Sequence, residues 1–204
     1  FNNIVPGYFS RVDSNGSGCG NDTASEREMV HKYIVESVLY WTEEYHIDGF
    51  RFDLVGLIDT NTINTLVDEV HKIRPDAIFY GEGWTLGTNS EPGYSMATQQ
   101  NASQTPNFAY FSDVIRNLLA GSNGTSTGFV SGATGQEGSI ISNFKATPWY
   151  TSDPQQIVQY ASCHDNYTLI DKLILSTNAI GITDEIIRMN NLTASIYMAS
   201  QGIS

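Results

Sequence analysis

Apolar positions along the chain alternate between helical and strand spacing. Val30, Ile34, Val38, Trp41 and Tyr45 recur at steps of three and four, which is one stripe of a helix. Ser25 and Glu28 stand just before it and fit a capping box, each satisfying an orphan backbone donor of the other. The helix is expected to run to about Tyr45. In Gly49-Phe50-Arg51-Phe52-Asp53-Leu54 the period changes to two, with Phe50, Phe52 and Leu54 on one side and Gly49, Arg51 and Asp53 on the other. That is a strand. A second helix is expected over about 60–74, with Ile63, Leu66, Val67, Val70 and Ile73 on one face and Pro75 as its stop. Residues 77–82 read as the next strand.

Further on the pattern thins. Residues 1–24, 85–106 and 121–139 are rich in Gly, Ser, Thr and Asn and read as irregular. Between them, Asn107 to Phe111 reads as a short strand and Val114 to Ala120 as a helix. Ile157 to Ser162 reads as a strand leading into Cys163-His164-Asp165-Asn166. A helix is expected around 184–199, and Ile203 would begin one more strand. Helices alternating with strands predict an α/β fold with a parallel sheet.

Composition narrows the function classes. Asp and Glu number 22 against 10 Lys and Arg, a net charge of −12. A phosphate-neutralising protein carries the opposite balance, so nucleic acid and anionic membrane surfaces are disfavoured as partners. No apolar run reaches the roughly 20 residues of a membrane-spanning helix. A neutral sugar is compatible, because it needs no net field. Cys19 and Cys163 cannot by themselves build a disulfide framework or a Cys-based zinc site. The chain opens at Phe1 without a start methionine and closes at Ser204 inside an apolar stretch. Both ends therefore read as cut from a longer protein.

Asp53, Glu82 and Asp165 each follow a predicted parallel strand. In α/β folds, and above all in (β/α)₈ barrels, chemistry is placed at that end of the strands. The interval from Asp53 to Glu82 matches one βα unit of a barrel, roughly 31 residues when about 250 are shared among eight units. An acidic residue after a strand is often only a helix cap or a loop solvator; three together, with these neighbours, point to more. Arg51 shares a face with Asp53 and would hold it ionised as a pair. Gly81 and Gly83 flank Glu82 and leave room for a ligand, while Trp84 lowers the local polarity and favours a protonated carboxyl. One charged and one protonated carboxyl is the division of labour for cleaving a glycosidic bond.

Three segments carry a resemblance. Gly49-Phe50-Arg51-Phe52-Asp53, Tyr80-Gly81-Glu82-Gly83-Trp84 and Ser162-Cys163-His164-Asp165-Asn166 resemble three ordered regions of the α-amylase superfamily. Their wording looks most like the type I pullulanases, the α-1,6 debranching group of glycoside hydrolase family 13. The upstream Asn15-Gly16-Ser17-Gly18-Cys19-Gly20-Asn21 and the Tyr45-His46-Ile47-Asp48 lead-in look like that group too. The resemblance implies Asp53 as nucleophile, Glu82 as acid/base, His164 with Asp165 as binders of the distorted sugar, and Arg51 as the group orienting the nucleophile. It also implies that residues 1–204 are one incomplete TIM-barrel domain, from about the fourth strand to the start of the eighth. Such a stretch is not expected to fold stably or turn over substrate alone. Leu54 to Leu57 lacks the Lys-His that many α-1,4-acting relatives carry after the nucleophile, which favours debranching.

The expected partner is an α-glucan, with no nucleic acid, membrane or protein partner indicated. Trp84 and Tyr167, next to the motifs, are candidate sugar platforms, and Asn166 a further substrate contact. Trp149-Tyr150 is the weaker aromatic candidate. No cofactor or catalytic metal is expected; the superfamily allows a structural calcium ion, but no Asp-rich loop here argues for one. His31, His46 and His71 lack mutual metal-ligand spacing, which weakens the rival reading of a metal phosphohydrolase built on His164-Asp165. An α-1,4-acting amylase or neopullulanase-like hydrolase is the main alternative. A non-catalytic glucan-binding relative is another, disfavoured because both Asp53 and Glu82 are present.

Overall fold

The computed structural model describes residues 1–122 and 124–204; Asn123, inside the 121–139 stretch, lies outside the described residues. The fold is α/β, with a four-stranded parallel sheet in the order β1-β2-β3-β4. The strands are β1 (Gly49–Phe52), β2 (Ile78–Gly81), β3 (Ala109–Phe111) and β4 (Ile157–Val158). The chain divides into two compact units, Phe1–Tyr110 and Phe111–Ser204.

In the first unit, helix α1 (Glu28–Tyr45) packs on helix α2 (Thr60–Ile73). α2 is the crossover that joins the parallel strands β1 and β2. α2 follows its sequence pattern: Ile63, Leu66, Val67 and Val70 are buried, while Ile73 is half exposed at the frayed end before Pro75. Asp59 caps it, its side chain accepting from the Thr62 N–H at 2.9 Å.

Helix α1 corrects two expectations. Its buried side chains are Val30, Val35, Val38 and Thr42, whereas Trp41 and Tyr45 are exposed, each meeting Tyr40 edge-on and tilted against each other. The packed stripe is thus rotated toward Val35 and Thr42. Thr42 can be buried because its hydroxyl donates to the Val38 carbonyl at 2.9 Å. The capping box also does not form. Arg27 is the N-cap residue, without a side-chain cap. Ser25 is used elsewhere, its hydroxyl accepting from the Asp59 N–H at 2.9 Å, and Glu26 is paired with Arg11. Tertiary partners won over the local cap.

The long first loop is ordered by buried polar groups instead of by an apolar core. The Asp22 carboxylate, fully buried, accepts from Ser14 Oγ (2.6 Å), Thr88 Oγ1 (2.7 Å) and the Gly16 and Ser17 N–H groups (2.8 Å each). Burial alone would raise its pKa, but these four donors outweigh it and hold the carboxyl well below the usual carboxylate range. Beside it, the buried Arg11 guanidinium grips Glu26 at 2.6 and 3.0 Å. There burial again opposes ionisation, and the bonds from Arg11 lower the Glu26 pKa on balance.

In the second unit, helices α3 (Asp113–Ala120), α4 (Glu137–Phe144), α5 (Leu169–Thr177) and α6 (Asp184–Met198) surround two apolar clusters. Ile115, Leu119 and Ile140 form one; Val130, Leu173 and Ile186 form the other; Phe129 packs against both. Ser112 N–H donates to the Val158 carbonyl at 2.9 Å, and Val158 pairs in parallel with Ile203. The strand expected over Ile157 to Ser162 is therefore only two residues long as a ladder, although Gln159, Tyr160 and Ala161 stay buried beyond it. Helix α4 starts inside the stretch read as irregular, and α5 is an element that the apolar pattern does not predict. A signal for α5 stands in the sequence all the same: Thr168 caps it by accepting from the Asp171 N–H and bonding the Asp171 carboxylate.

Asp22→Asn removes a charge that four donors address. It is expected to lower stability by about 2–4 kcal/mol at neutral pH, the scale of hydrogen bonds to a buried ionised group. Because the folded carboxyl titrates below its unfolded value, its stabilisation is complete above about pH 4 and fades as pH falls toward the folded value. Urea unfolding at a series of acidic pH values should show wild type losing this increment and the variant not.

Candidate active site

The parallel register of β1 and β2 pairs Phe52 with Gly81. Asp53 and Glu82 are the next residue on each strand. They therefore emerge side by side at the C-terminal edge of the sheet. A carboxylate oxygen of one lies within 4.8 Å of a carboxylate oxygen of the other.

Arg51 joins them. Its Nη1 bonds Asp53 Oδ1, and its Nη2 donates to Glu82 Oε1 at 2.8 Å. The second Glu82 oxygen accepts from the Leu54 N–H at 3.0 Å. The two carboxylates differ sharply in access: the Asp53 side chain is 65% exposed and that of Glu82 4%. The Glu82 carboxylate thus accepts from Arg51 and from a backbone amide, one on each oxygen. Trp84, expected to set the polarity here, is half buried two residues further on.

The backbone around the pair is folded to bring these donors in. Leu54 adopts a left-handed conformation (φ 45°, ψ 42°), which costs a branched residue of the order of 1 kcal/mol or more. That turn aims its N–H at Glu82. A short 3₁₀ turn, Val55–Leu57, follows, and the Gly56 N–H donates to the Glu82 carbonyl at 3.1 Å. Gly56 is required there, since a Cβ would sit 2.0 Å from the Trp84 carbonyl oxygen. Gly83 is required too, because its Cβ would fall 2.3 Å from the Tyr110 ring. Tyr110 is fully buried and bonded to Thr105 at 2.6 Å; burial pushes its phenol up to about 12. Gly81, whose Cβ would lie 2.5 Å from the Phe52 carbonyl oxygen, and Gly83 therefore serve close packing of backbone and ring.

In the second unit His164 and Asp165 form a turn beyond β4, with His164 Nε2 and Asp165 Oδ1 3.2 Å apart and both side chains more than half exposed. Asn166 and Tyr167 follow, also exposed. Within the first unit the structure brings together Arg51, Asp53 and Glu82. Within the second, His164, Asp165, Asn166 and Tyr167 are consecutive on one exposed segment. The Leu54 amide and Gly56 are parts of the site that the sequence pattern does not reveal. A backbone donor leaves no side-chain signature, although the glycine three residues after Asp53 is a usable one.

No family model matches the chain. It is 36% identical to the pullulanase of Bacillus subtilis (strain 168), over the whole of this chain and 30% of that protein. Among solved structures, the pullulanase from Anoxybacillus sp. LM18-11 complexed with maltotetraose superposes with a TM-score of 0.93 at 38% identity, over the whole chain and 30% of its length. The pullulanase from Paenibacillus barengoltzii in complex with maltohexaose and α-cyclodextrin gives a TM-score of 0.92 at 39% identity, over the whole chain and 33% of its length. The chain is homologous to pullulanases throughout and spans about a third of the length of these relatives.

Gly56→Ala is expected to drive the Asp53 and Glu82 loops apart. Overpacking against a backbone carbonyl costs about 1–3 kcal/mol, measurable by urea unfolding, and a crystal structure of the variant should show the Gly56 N–H to Glu82 carbonyl bond lengthened or lost.

Proposed function

We propose, on homology to pullulanases along the whole chain, that this sequence supplies the catalytic residues of a retaining glycoside hydrolase that cleaves α-1,6 branch linkages in pullulan, starch or glycogen. In this reading the sheet and its crossovers are the fourth strand to the start of the eighth of a (β/α)₈ barrel. The observation that carries it is the short approach of two carboxylates across one Arg. Retaining enzymes hold their two carboxyl groups about 5–5.5 Å apart, and inverting ones roughly 6.5–9.5 Å apart to admit a water. One oxygen of each carboxylate lies within 4.8 Å of the other, which supports the shorter class.

Asp53, the accessible member, attacks the anomeric carbon. Glu82 protonates the leaving oxygen, giving a glycosyl-enzyme ester on Asp53. Glu82, now a base, takes a proton from water, and the water oxygen displaces Asp53. Asp165 and His164 hold hydroxyls of the distorted sugar with charge-assisted bonds that strengthen toward the transition state. Trp84, Asn166 and Tyr167 are further sugar contacts, the rings packing on apolar sugar faces. The steps run through side chains of this chain, with no cofactor or catalytic metal, and the substrate is a neutral α-glucan. Malto-oligosaccharides and α-cyclodextrin are the molecules bound in the homologous structures, which supports that class.

Asp53→Asn, made in the longest natural polypeptide that contains this sequence, is expected to lower kcat by several orders of magnitude while leaving the unfolding transition in place. Activity near wild type would remove the nucleophile. Product analysis on pullulan tests the linkage: maltotriose alone is expected, whereas panose or isopanose would mean α-1,4 cleavage.

A further inference from the structure

The Gly- and Asn-rich first loop has no part in the chemistry above, yet its buried charges reach both catalytic loops. Arg11 Nη1 donates to two oxygens: the Leu57 carbonyl at 2.8 Å and Thr88 Oγ1 at 3.0 Å. Leu57 closes the short turn that follows Asp53. Thr88 lies on the loop that follows Glu82 and also donates to Asp22 at 2.7 Å. One nitrogen thus ties the two loops together at Leu57 and Thr88. Glu26 and Asp22 fix that nitrogen from behind, through the Arg11 fork and through Thr88. Gly16 completes the contact: a Cβ there would lie 2.6 Å from the Leu86 carbonyl and 3.1 Å from the Leu57 side chain. The loop backbone therefore lies directly on both.

We propose that Arg11 and Thr88 are positioning residues that set the spacing of Asp53 and Glu82. The proposal rests on the catalytic reading above. Arg51 bonds the two carboxylates directly; Arg11 bonds the loops that follow them, at Leu57 and Thr88. A guanidinium suits this place because its planar fork serves Glu26 with two nitrogens and still offers a third direction to the loops. A lysine would keep the charge for Glu26 and lose the two-loop clamp.

The test, made in the longest natural polypeptide that contains this sequence, uses Arg11→Lys and Thr88→Val, with Thr88→Ser as the variant that restores the hydroxyl. Two readouts are taken. The first is amide hydrogen exchange at Leu54 and Gly56, the donors to Glu82, compared with the α2 amides of Leu66 and Val67. The second is kcat, KM and the pH–rate profile on pullulan. Arg11→Lys and Thr88→Val should speed exchange at Leu54 and Gly56 by about tenfold with the α2 amides unchanged, as local opening does. They should also lower kcat by about tenfold to a hundredfold with KM within about twofold, the effect of a small misplacement of reacting groups, and displace a limb of the pH profile. Thr88→Ser should return each quantity toward wild type. If wild type itself does not cleave pullulan but the exchange pattern appears, the catalytic reading fails and the clamp between the loops stands. If Leu54 and Gly56 exchange as in wild type and kcat and the pH profile do not move, the proposal is overturned, even where the variants melt at lower temperature. Should Thr88→Val not fold, Arg11→Lys decides the question by itself, because it leaves the buried charge of Glu26 compensated.

Discussion

Two carboxylates held within 4.8 Å of each other are the constraint on which the local structure depends. Were both ionised at that distance, they would repel by about 3.5 kcal/mol at an effective dielectric constant near 20. That is an upper figure here, since Asp53 is mostly exposed and water screens it. A pair so placed needs a cation in contact with both. Arg51 is that cation, and its position follows from strand geometry alone. Two residues before Asp53 on the same strand, it lies on the same face; opposite Tyr80 in the β1-β2 register, it lies two rows below Glu82. Its fork then spans the interval between the strands. A lysine at this place would bring one point charge and no fork.

The backbone completes what the side chain begins. Leu54 accepts an unfavourable φ, and the return is a donor on the second carboxylate oxygen of Glu82. Gly56 and Gly83 remove the side chains that would otherwise keep the two loops and the Tyr110 ring apart. Local strain and missing Cβ atoms at one spot, over-determined by packing around it, are what a preorganised site looks like. The same logic explains why the capping box before α1 fails. Ser25 and Glu26 are drawn into contacts with Asp59 and Arg11, and at the helix start the Met29 N–H donates to the Tyr8 hydroxyl at 3.2 Å instead.

What is legible in the sequence follows from range. The strand at Gly49–Phe52, the α2 stripe and the stop at Pro75 are local signals that the structure carries, although the strand ends before Asp53, its residues are uniformly half-buried and Leu54 turns left-handed. So is the adjacency of Asp53 and Glu82, because a parallel register makes it a short-range consequence of two strand ends. The rotation of the α1 stripe toward Val35 and Thr42 is hidden, since hydropathy counts Trp41 as apolar and Thr42 as polar, while burial depends on which side α2 lies. The buried pair Arg11–Glu26 and the Asp22 hub are hidden for the same reason. Their partners, Leu57 and Thr88, are 46 and 77 residues from Arg11, and a loop of Asn, Gly and Ser reads as solvent-exposed until those partners are known. β4 keeps its burial but loses most of its ladder, which a hydropathy pattern cannot distinguish.

The charge count of the site bears on the proposed mechanism in one further way. Before attack, Asp53 is ionised and Glu82 carries the proton to be delivered. After it, Asp53 is an ester and Glu82 is ionised. The pair holds one negative charge in both halves of the cycle, and Arg51 touches both members. One fixed cation therefore balances the site throughout, with no reorganisation of protein charge as the reaction passes from one carboxylate to the other. The exposure of the two agrees with that order of events. Asp53 stands open to a bulky anomeric carbon, while Glu82 is enclosed where its proton can be passed to an oxygen already in place. Loss of the Asp53 charge on ester formation leaves Arg51 to Glu82 alone, at the moment Glu82 must act as a base. The arrangement in this structure, with both Glu82 oxygens accepting N–H donors, is the one that step requires.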